Sequence, residues 1–197
     1  MARPLADRLV VTPLLAEDQI GPASVDVRLG SEFLLLRRTR GPGLDPGKHD
    51  QASVEDLQER VVVPLGDKLW LHPQHFVLAA TFEYVRLPTD LGAYVVARSS
   101  WGRLGLVVAT AILVQPGFAG CLTLELVNEG DSPIALYPGL RVAQLAFHTL
   151  ETASPQPYHA DGKYRAPTRP QASRVAAEAA HVDHLERLKA LLASRLG

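Results

Sequence analysis

Two guanidiniums and two hydroxyls fall within six residues in Arg98-Ser99-Ser100-Trp101-Gly102-Arg103. Arginine presents a planar fork of donors that matches phosphate oxygens, and serine places small donors beside it. The combination suits a polyanionic ligand. A polar turn joining two strands accounts for the same residues equally well, because the segment lies between strand-like runs at 94–97 and 107–109. The second chemical candidate is Glu125 in Leu122-Thr123-Leu124-Glu125-Leu126. A period of two puts the leucines on one face of a strand and Thr123 and Glu125 on the other. A carboxylate there can shuttle protons if apolar surroundings tune its pKa, or it is simply solvated. Arg103 can hold a water or a developing charge for such a group, or form a surface ion pair.

Other positions carry weaker signals. Asp26 interrupts the alternating run Ala23-Ser24-Val25-Asp26-Val27-Arg28-Leu29-Gly30, which fits a structural carboxylate or part of a sugar or metal site. In Gln115-Pro116-Gly117-Phe118-Ala119-Gly120 the glycines allow a close backbone approach to a ligand, or merely a turn. Tyr158, Lys163, Tyr164 and Arg165 lie in a proline-rich stretch that can close over a nucleotide or pack on the surface. Zinc chemistry is poorly supported. The zinc deaminase signature needs a Pro-Cys-x-x-Cys, and the chain has one cysteine, Cys121. His72 with His75, and His181 with His184, are pairs lacking a third ligand. No P-loop or dinucleotide fingerprint occurs.

The elements that must position these groups are short. Fifteen Pro and 15 Gly divide 197 residues into brief Val- and Leu-rich runs. These runs fall at 25–29, 33–36, 61–63, 69–71, 76–82, 93–97, 106–111, 122–127, 134–136 and 142–147. Many short strands separated by Pro/Gly turns predict an all-β barrel or sandwich. Residues 40–59 read as an excursion with turn chemistry, and 54–60 as a short helical turn. From Ser173 to Leu196 there is no Pro or Gly, and Val175, Val182, Leu185, Leu188, Leu192 and Leu196 recur at helical spacing. That predicts an amphipathic helix capped by Ser173, packed on the body or forming a seam between subunits. The expected organisation is a β domain at 1–150, an extended tail at 151–173 and a helix at 174–197.

The totals narrow the partners. A net charge of −1 gives no bulk attraction to nucleic acid or to an anionic membrane. A single cysteine argues against a disulfide scaffold. No apolar run reaches the roughly 18 residues of a membrane span, and no apolar h-region follows the first residues. A soluble cytoplasmic protein is expected.

Taken in order, several blocks resemble the dCTP deaminase branch of the trimeric dUTPase superfamily. They are Ala23-Ser-Val-Asp-Val-Arg-Leu-Gly30, Leu71-His-Pro73, Ala97-Arg-Ser-Ser-Trp-Gly-Arg-Leu-Gly-Leu106, Gln115-Pro-Gly-Phe-Ala-Gly120, Leu122-Thr-Leu-Glu-Leu-Val-Asn128, Leu136-Tyr-Pro-Gly139 and Lys163-Tyr164. The resemblance runs from about residue 9 to residue 174. It implies a mainly β, jelly-roll-like distorted barrel with a C-terminal α-helix, assembled as a homotrimer with active sites between subunits. It implies hydrolytic deamination of dCTP to dUTP and ammonia, without zinc or any other cofactor for the chemistry. Mg2+ would accompany the substrate triphosphate. By this resemblance Glu125 is the catalytic proton shuttle, and Arg103 and Ser99 hold the water and the pyrimidine region. Arg98 and Ser100 contact phosphates. Ala111 lies beside the base, and Thr123 and Leu124 lie beneath it. Tyr158 and Lys163 cover sugar and triphosphate.

Three positions depart from the family pattern. Gln115 stands where the family has an Asp that contacts the deoxyribose hydroxyl. The stretch Leu106-Val-Val-Ala-Thr-Ala111 lacks the family's His, and Pro167 stands where a tail Gln is usual. Two alternatives stay open on the sequence: a dUTP diphosphatase or bifunctional deaminase/diphosphatase, and a catalytically weakened nucleotide-binding trimer.

Overall fold

The structure is a computed structural model and describes residues 7–37, 44–45, 51–109, 113–158, 164 and 166–196. It divides into two compact units, residues 1–35 with 60–171 and residues 36–59 with 172–197.

Alternation of apolar and polar residues builds the first unit. Its strands are β1 (Val10–Thr12), β2 (Ser24–Leu36), β3 (Gln58–Val62), β4 (Leu69–Leu71), β5 (Phe76–Arg86), β6 (Leu91–Ala97), β7 (Leu106–Val108), β8 (Leu113–Val114), β9 (Ala119–Asn128), β10 (Ile134–Leu136) and β11 (Arg141–Thr149). One antiparallel sheet runs β7-β9-β5-β2-β11-β6-β8, with β1 on β5 and β3 on β2, and a separate ribbon pairs β10 with β4. The sheet curls into a distorted half-barrel of the kind that the sequence implies. Leu122, Leu124 and Leu126 of β9 face its core with Phe33, Val77 and Leu145, while Thr123 and Glu125 lie on the more open face.

Two irregularities shape the sheet. The runs at 25–29 and 33–36 form one strand, β2, whose pairing with β5 shifts register between Leu29 and Phe33. Between β5 and β9, Ala80 pairs with Thr123 and Tyr84 with Cys121, so residues 81–83 oppose Leu122 alone. Extra residues of this kind form a bulge that re-aims side chains. Thr81 patches the gap: its Oγ1 accepts the Leu122 N–H at 2.9 Å and donates to the Glu83 carbonyl at 2.8 Å. Glu83 is thereby turned fully into the core. There it accepts from Arg28 Nε at 2.6 Å, Arg28 N at 2.8 Å and Gln19 Nε2 at 2.9 Å.

In the second unit, α1 (Gln51–Asp56) packs on the 3-10 turn Val175–Glu178, which leads into the C-terminal helix (Ala179–Leu196). Ser173 Oγ accepts the Val175 N–H at 3.2 Å, the capping bond expected at this end. Helix formation nevertheless opens with the 3-10 turn. Leu188, Leu191 and Leu192 are exposed within this chain.

Candidate active site

The arginine–serine segment forms a tight turn rather than a loose loop. Ser99–Gly102 make a single helical turn, α2, between β6 and β7. The Trp101 indole donates to the Arg141 carbonyl at 2.8 Å, which pins the turn to β11. Gly105 ends it at φ +90°, and a Cβ there would meet Gly130 N at 2.5 Å. Only glycine accepts both demands without strain. The turn folds back so that Glu129 N–H donates to the Gly105 carbonyl at 2.8 Å.

Strand order gathers the charges beside this turn. β11 lies between β2 and β6, with Gln144 opposite Asp26 and Ala143 opposite Ala97. Arg98, at the end of β6, therefore reaches Asp26 on β2, with Nη1 2.5 Å from Oδ2. Arg141, at the start of β11, lies 3.6 Å from the same carboxylate oxygen and grips Asp18 through both terminal nitrogens, at 3.0 and 2.7 Å. The side-chain hydrogen bond from Arg141 holds the Asp18 carboxyl below its ordinary range, and Asp18 raises the Arg141 guanidinium in return. Asp26 thus has the structural partners of an ion-paired carboxylate. A cleft of about 430 Å³ opens here, lined by Arg98, Ser100, Trp101, Leu104, Leu140 and Arg141. Ser99, Ser100 and Arg103 are exposed.

Glu125 lies elsewhere on the chain. Its carbonyl accepts the Ala109 N–H at 2.8 Å, so the segment following β7 passes beside it. Ala111, expected near the base, lies outside the described residues, as does Lys163. The Glu125 carboxyl is half-buried, and desolvation by that burial raises its pKa above the usual carboxylate range. It forms no ion pair with Arg103 among the described residues. The turn bearing Arg103 is stitched to the chain at Glu129, four residues along from Glu125.

The remaining expected residues gather around β9. Thr123 is half-buried and Leu124 fully buried. Thr123 Oγ1 accepts the Gln171 N–H at 3.2 Å, and Pro167 O accepts the Cys121 N–H at 2.6 Å, so residues 167–171 run along this strand. Gly120 makes room for them, since a Cβ there would meet Pro167 Cδ at 2.4 Å. Tyr158 docks at the turn that carries Gln115: its N–H donates to Pro116 O at 2.9 Å and its ring lies 5.9 Å from Phe118. Tyr164 N–H donates to Tyr158 Oη at 3.0 Å. Gln115 itself is exposed.

The structure therefore unites Arg98 with Ser100 and places Tyr158 near Gln115, while Glu125 and Arg103 form no ion pair among the described residues. Sequence reasoning passed over Asp18 and Arg141. The one available signal was the formal charge of Arg141 at the start of a strand. Among the described residues no group of three or more His, Cys, Asp or Glu side chains could hold a metal ion, and the His72 and His75 rings simply meet edge-on at 5.7 Å.

A curled antiparallel sheet, an arginine–serine turn at its edge and a half-buried glutamate on an adjacent strand define a mainly β, half-barrel protein. The chain belongs to the dCTP deaminase-like family, whose model matches residues 2–150. A Methanobrevibacter smithii protein named "dCTP deaminase, dUMP-forming" is 45% identical over 172 residues, covering 85% of this chain and 88% of that protein. A Haloarcula marismortui protein named "dCTP deaminase" is 48% identical over 171 residues, covering 85% and 87%. The crystal structure of 2'-deoxycytidine 5'-triphosphate deaminase from Agrobacterium tumefaciens superposes with a TM-score of 0.57 at 27% identity, over 73% of this chain. This chain spans 44% of the length of that structure.

Proposed function

We propose that the protein hydrolyses dCTP to dUTP and ammonia, with Glu125 as the proton shuttle. The observation that carries this reading is the state of Glu125. It is half-buried, its pKa is raised by desolvation, and it sits at the position where the family resemblance puts the catalytic acid. A carboxylate whose pKa moves toward neutrality can both take a proton from water and return it, and the best shuttle has a pKa near the working pH. Glu125 takes a proton from water as the oxygen bonds to C4 of the cytosine. It delivers that proton to N3. Glu125 then takes the proton of the new C4 hydroxyl and passes it to the amino nitrogen, so that collapse of the tetrahedral carbon to the C4 carbonyl breaks the C4–N4 bond and releases ammonia. Water and dCTP thus balance dUTP and ammonia.

Arg103 and Ser99 hold the attacking water and the pyrimidine edge. Arg98 and Ser100 take the triphosphate, which arrives with Mg2+ as part of the substrate. Thr123 and Leu124 lie beneath the ring, Ala111 beside it, Gln115 at the sugar, and Tyr158 and Lys163 over sugar and phosphates. Arg103 forms no ion pair with Glu125 among the described residues, and on this reading the site is completed by Arg103 and Ser99 of a neighbouring copy in a homotrimer.

The names of some relatives favour a second reading, in which dUTP is hydrolysed onward to dUMP. Against it, attack at phosphorus generally calls for a carboxylate base, and Gln115 provides an amide. Incubation with dCTP and magnesium, with ammonia and nucleotide products measured together, tests both. Ammonia with dUTP is expected, and Glu125→Gln lowers the rate by about 10²- to 10⁴-fold. Ammonia with dUMP and pyrophosphate selects the bifunctional enzyme. Nucleotide binding without ammonia above the Glu125→Gln background overturns the deaminase reading.

A further inference from the structure

Resting on the nucleotide reading above, we propose that Arg141 is a second phosphate-binding guanidinium of the cleft that holds Arg98 and Ser100, and that Asp18 is its displaceable occupant in the ligand-free chain. Arg141 lines the same cleft as Arg98 and Ser100. Asp26, only 15% exposed, lies within 4 Å of both guanidiniums and fixes their separation. Two guanidiniums against one partly buried carboxylate leave a net positive cleft, which suits a polyphosphate chain. The fourth charge, Asp18, cancels that excess, yet it is 76% exposed while Arg141 is 26% exposed.

The grip of Asp18 has the geometry of a phosphate mimic. Its two oxygens face the two terminal nitrogens of Arg141 in a fork-to-fork pair, the arrangement by which arginine also holds phosphate. Exposed ion pairs contribute little to stability, so an incoming phosphate displaces the carboxylate at small cost. The fold does not depend on Asp18 staying in place. The turn Glu17–Gln19 is anchored by its neighbour Gln19, which is fully buried and donates to Glu83 Oε1 at 2.9 Å and to Asp26 O at 2.8 Å. The carboxylate is therefore free to leave and return while the turn stays fixed.

The proposal predicts opposite signs for the two partners of one ion pair. Binding of inorganic tripolyphosphate to the full chain is measured by calorimetry, alongside KM for dCTP and dCMP. Asp18→Asn is expected to tighten tripolyphosphate binding about threefold. Arg141→Gln is expected to weaken it about tenfold or more, and Arg141→Lys to fall between, because lysine keeps the charge and loses the fork. The KM changes are expected with dCTP and not with dCMP. Thermal melts of all three variants identify the folded samples, and the Asp18→Asn and Arg141→Lys pair still decides the sign if Arg141→Gln is unfolded. Weaker or unchanged binding by Asp18→Asn overturns the proposal and assigns the ion pair a structural role, as does unchanged binding by folded Arg141 variants. Because tripolyphosphate carries no base, these responses stand or fall apart from ammonia release by the wild-type protein, which tests the deaminase reading.

Discussion

Replacing Glu83 with alanine tests whether one buried carboxylate organises this end of the barrel. Glu83 is fully buried and accepts three hydrogen bonds, from Arg28 Nε and N and from Gln19 Nε2. Truncation leaves a guanidinium that is 10% exposed without its counter-charge and a buried amide without its acceptor. Breaking one side of a buried ion pair costs about 3–5 kcal/mol. The lower end applies here. Arg28 keeps a bond from Nη2 to Pro13 O at 3.0 Å, and its guanidinium sits 5.3 Å from the Phe82 ring centroid. A loss of about 3 kcal/mol corresponds to a fall in Tm of roughly 6–12 °C for a domain of this size. Urea titration and thermal melts by circular dichroism give both numbers. The double variant Arg28→Met/Glu83→Leu removes both charges at once, and its cost should be well below that of Glu83→Ala. A loss below about 1 kcal/mol for Glu83→Ala, the range of an exposed pair, refutes the reasoning, as does a double variant no more stable than the single one.

Further outcomes follow from the site and its supports. Mixing Glu125→Gln chains with Arg103→Ala chains, each inactive alone, restores about a quarter of wild-type activity per site if active sites are shared between copies at random; no recovery after verified subunit exchange rejects the shared site. Glu125 has a folded-state pKa above its unfolded value, so folding favours its protonated form. Its charge costs no stability below the unfolded carboxylate range, and the cost grows as pH rises through the raised value. Wild type should therefore lose Tm relative to Glu125→Gln as the pH is raised, and a gap that is flat or widens toward acid contradicts the assignment. The acid limb of the pH–rate profile should likewise lie above the ordinary carboxylate range, with activity lost as pH falls through it. Asn128→Ala removes bonds to Leu71 O, Ser132 O and Gly130 N, all at 2.8–2.9 Å on a fully buried side chain, and should cost about 2–4 kcal/mol in denaturant titration.

Much of the framework was legible because its signals are local. Period-two alternation in Leu122-Thr-Leu-Glu-Leu located β9 and its two faces correctly, since burial follows that pattern directly. The interruptions misled for an equally local reason. Gly30-Ser31-Glu32 has turn composition, so β2 reads as two strands, whereas its partner β5 carries the chain straight through with a register shift. The bulge at 81–83 is invisible because Thr-Phe-Glu reads as unbroken alternation. The sign of trouble was chemical: Glu83 could face inward only if a buried cation awaited it, and Arg28 lies 55 positions away. The same limit governs the site. The Arg98–Ser100 cluster is contiguous and could be read. Its partners Asp26, 72 positions from Arg98, and Asp18, 123 from Arg141, meet only through the strand order β2-β11-β6, which no single strand encodes.

That strand order also explains why the arginines and the glutamate are held so differently. Arg98 and Arg141 emerge from the ends of neighbouring strands, Arg98 paired with the partly buried Asp26 in β2 and Arg141 with the exposed Asp18 beside Gln19. A phosphate chain carries fixed charge, and pre-positioned donors bind it without reorganisation. On the proposed reading Glu125 has the opposite requirement. A carboxylate already paired with a cation would have its pKa lowered and would be a poor base. In this chain it is desolvated by its surroundings and lacks an arginine partner among the described residues. Bringing Arg103 to it from a second copy would let the cation arrive as part of the assembled site, after folding has set the carboxyl's environment. On the proposed reading the chain thus sets a positive field for phosphates at one place and a desolvated acid at another.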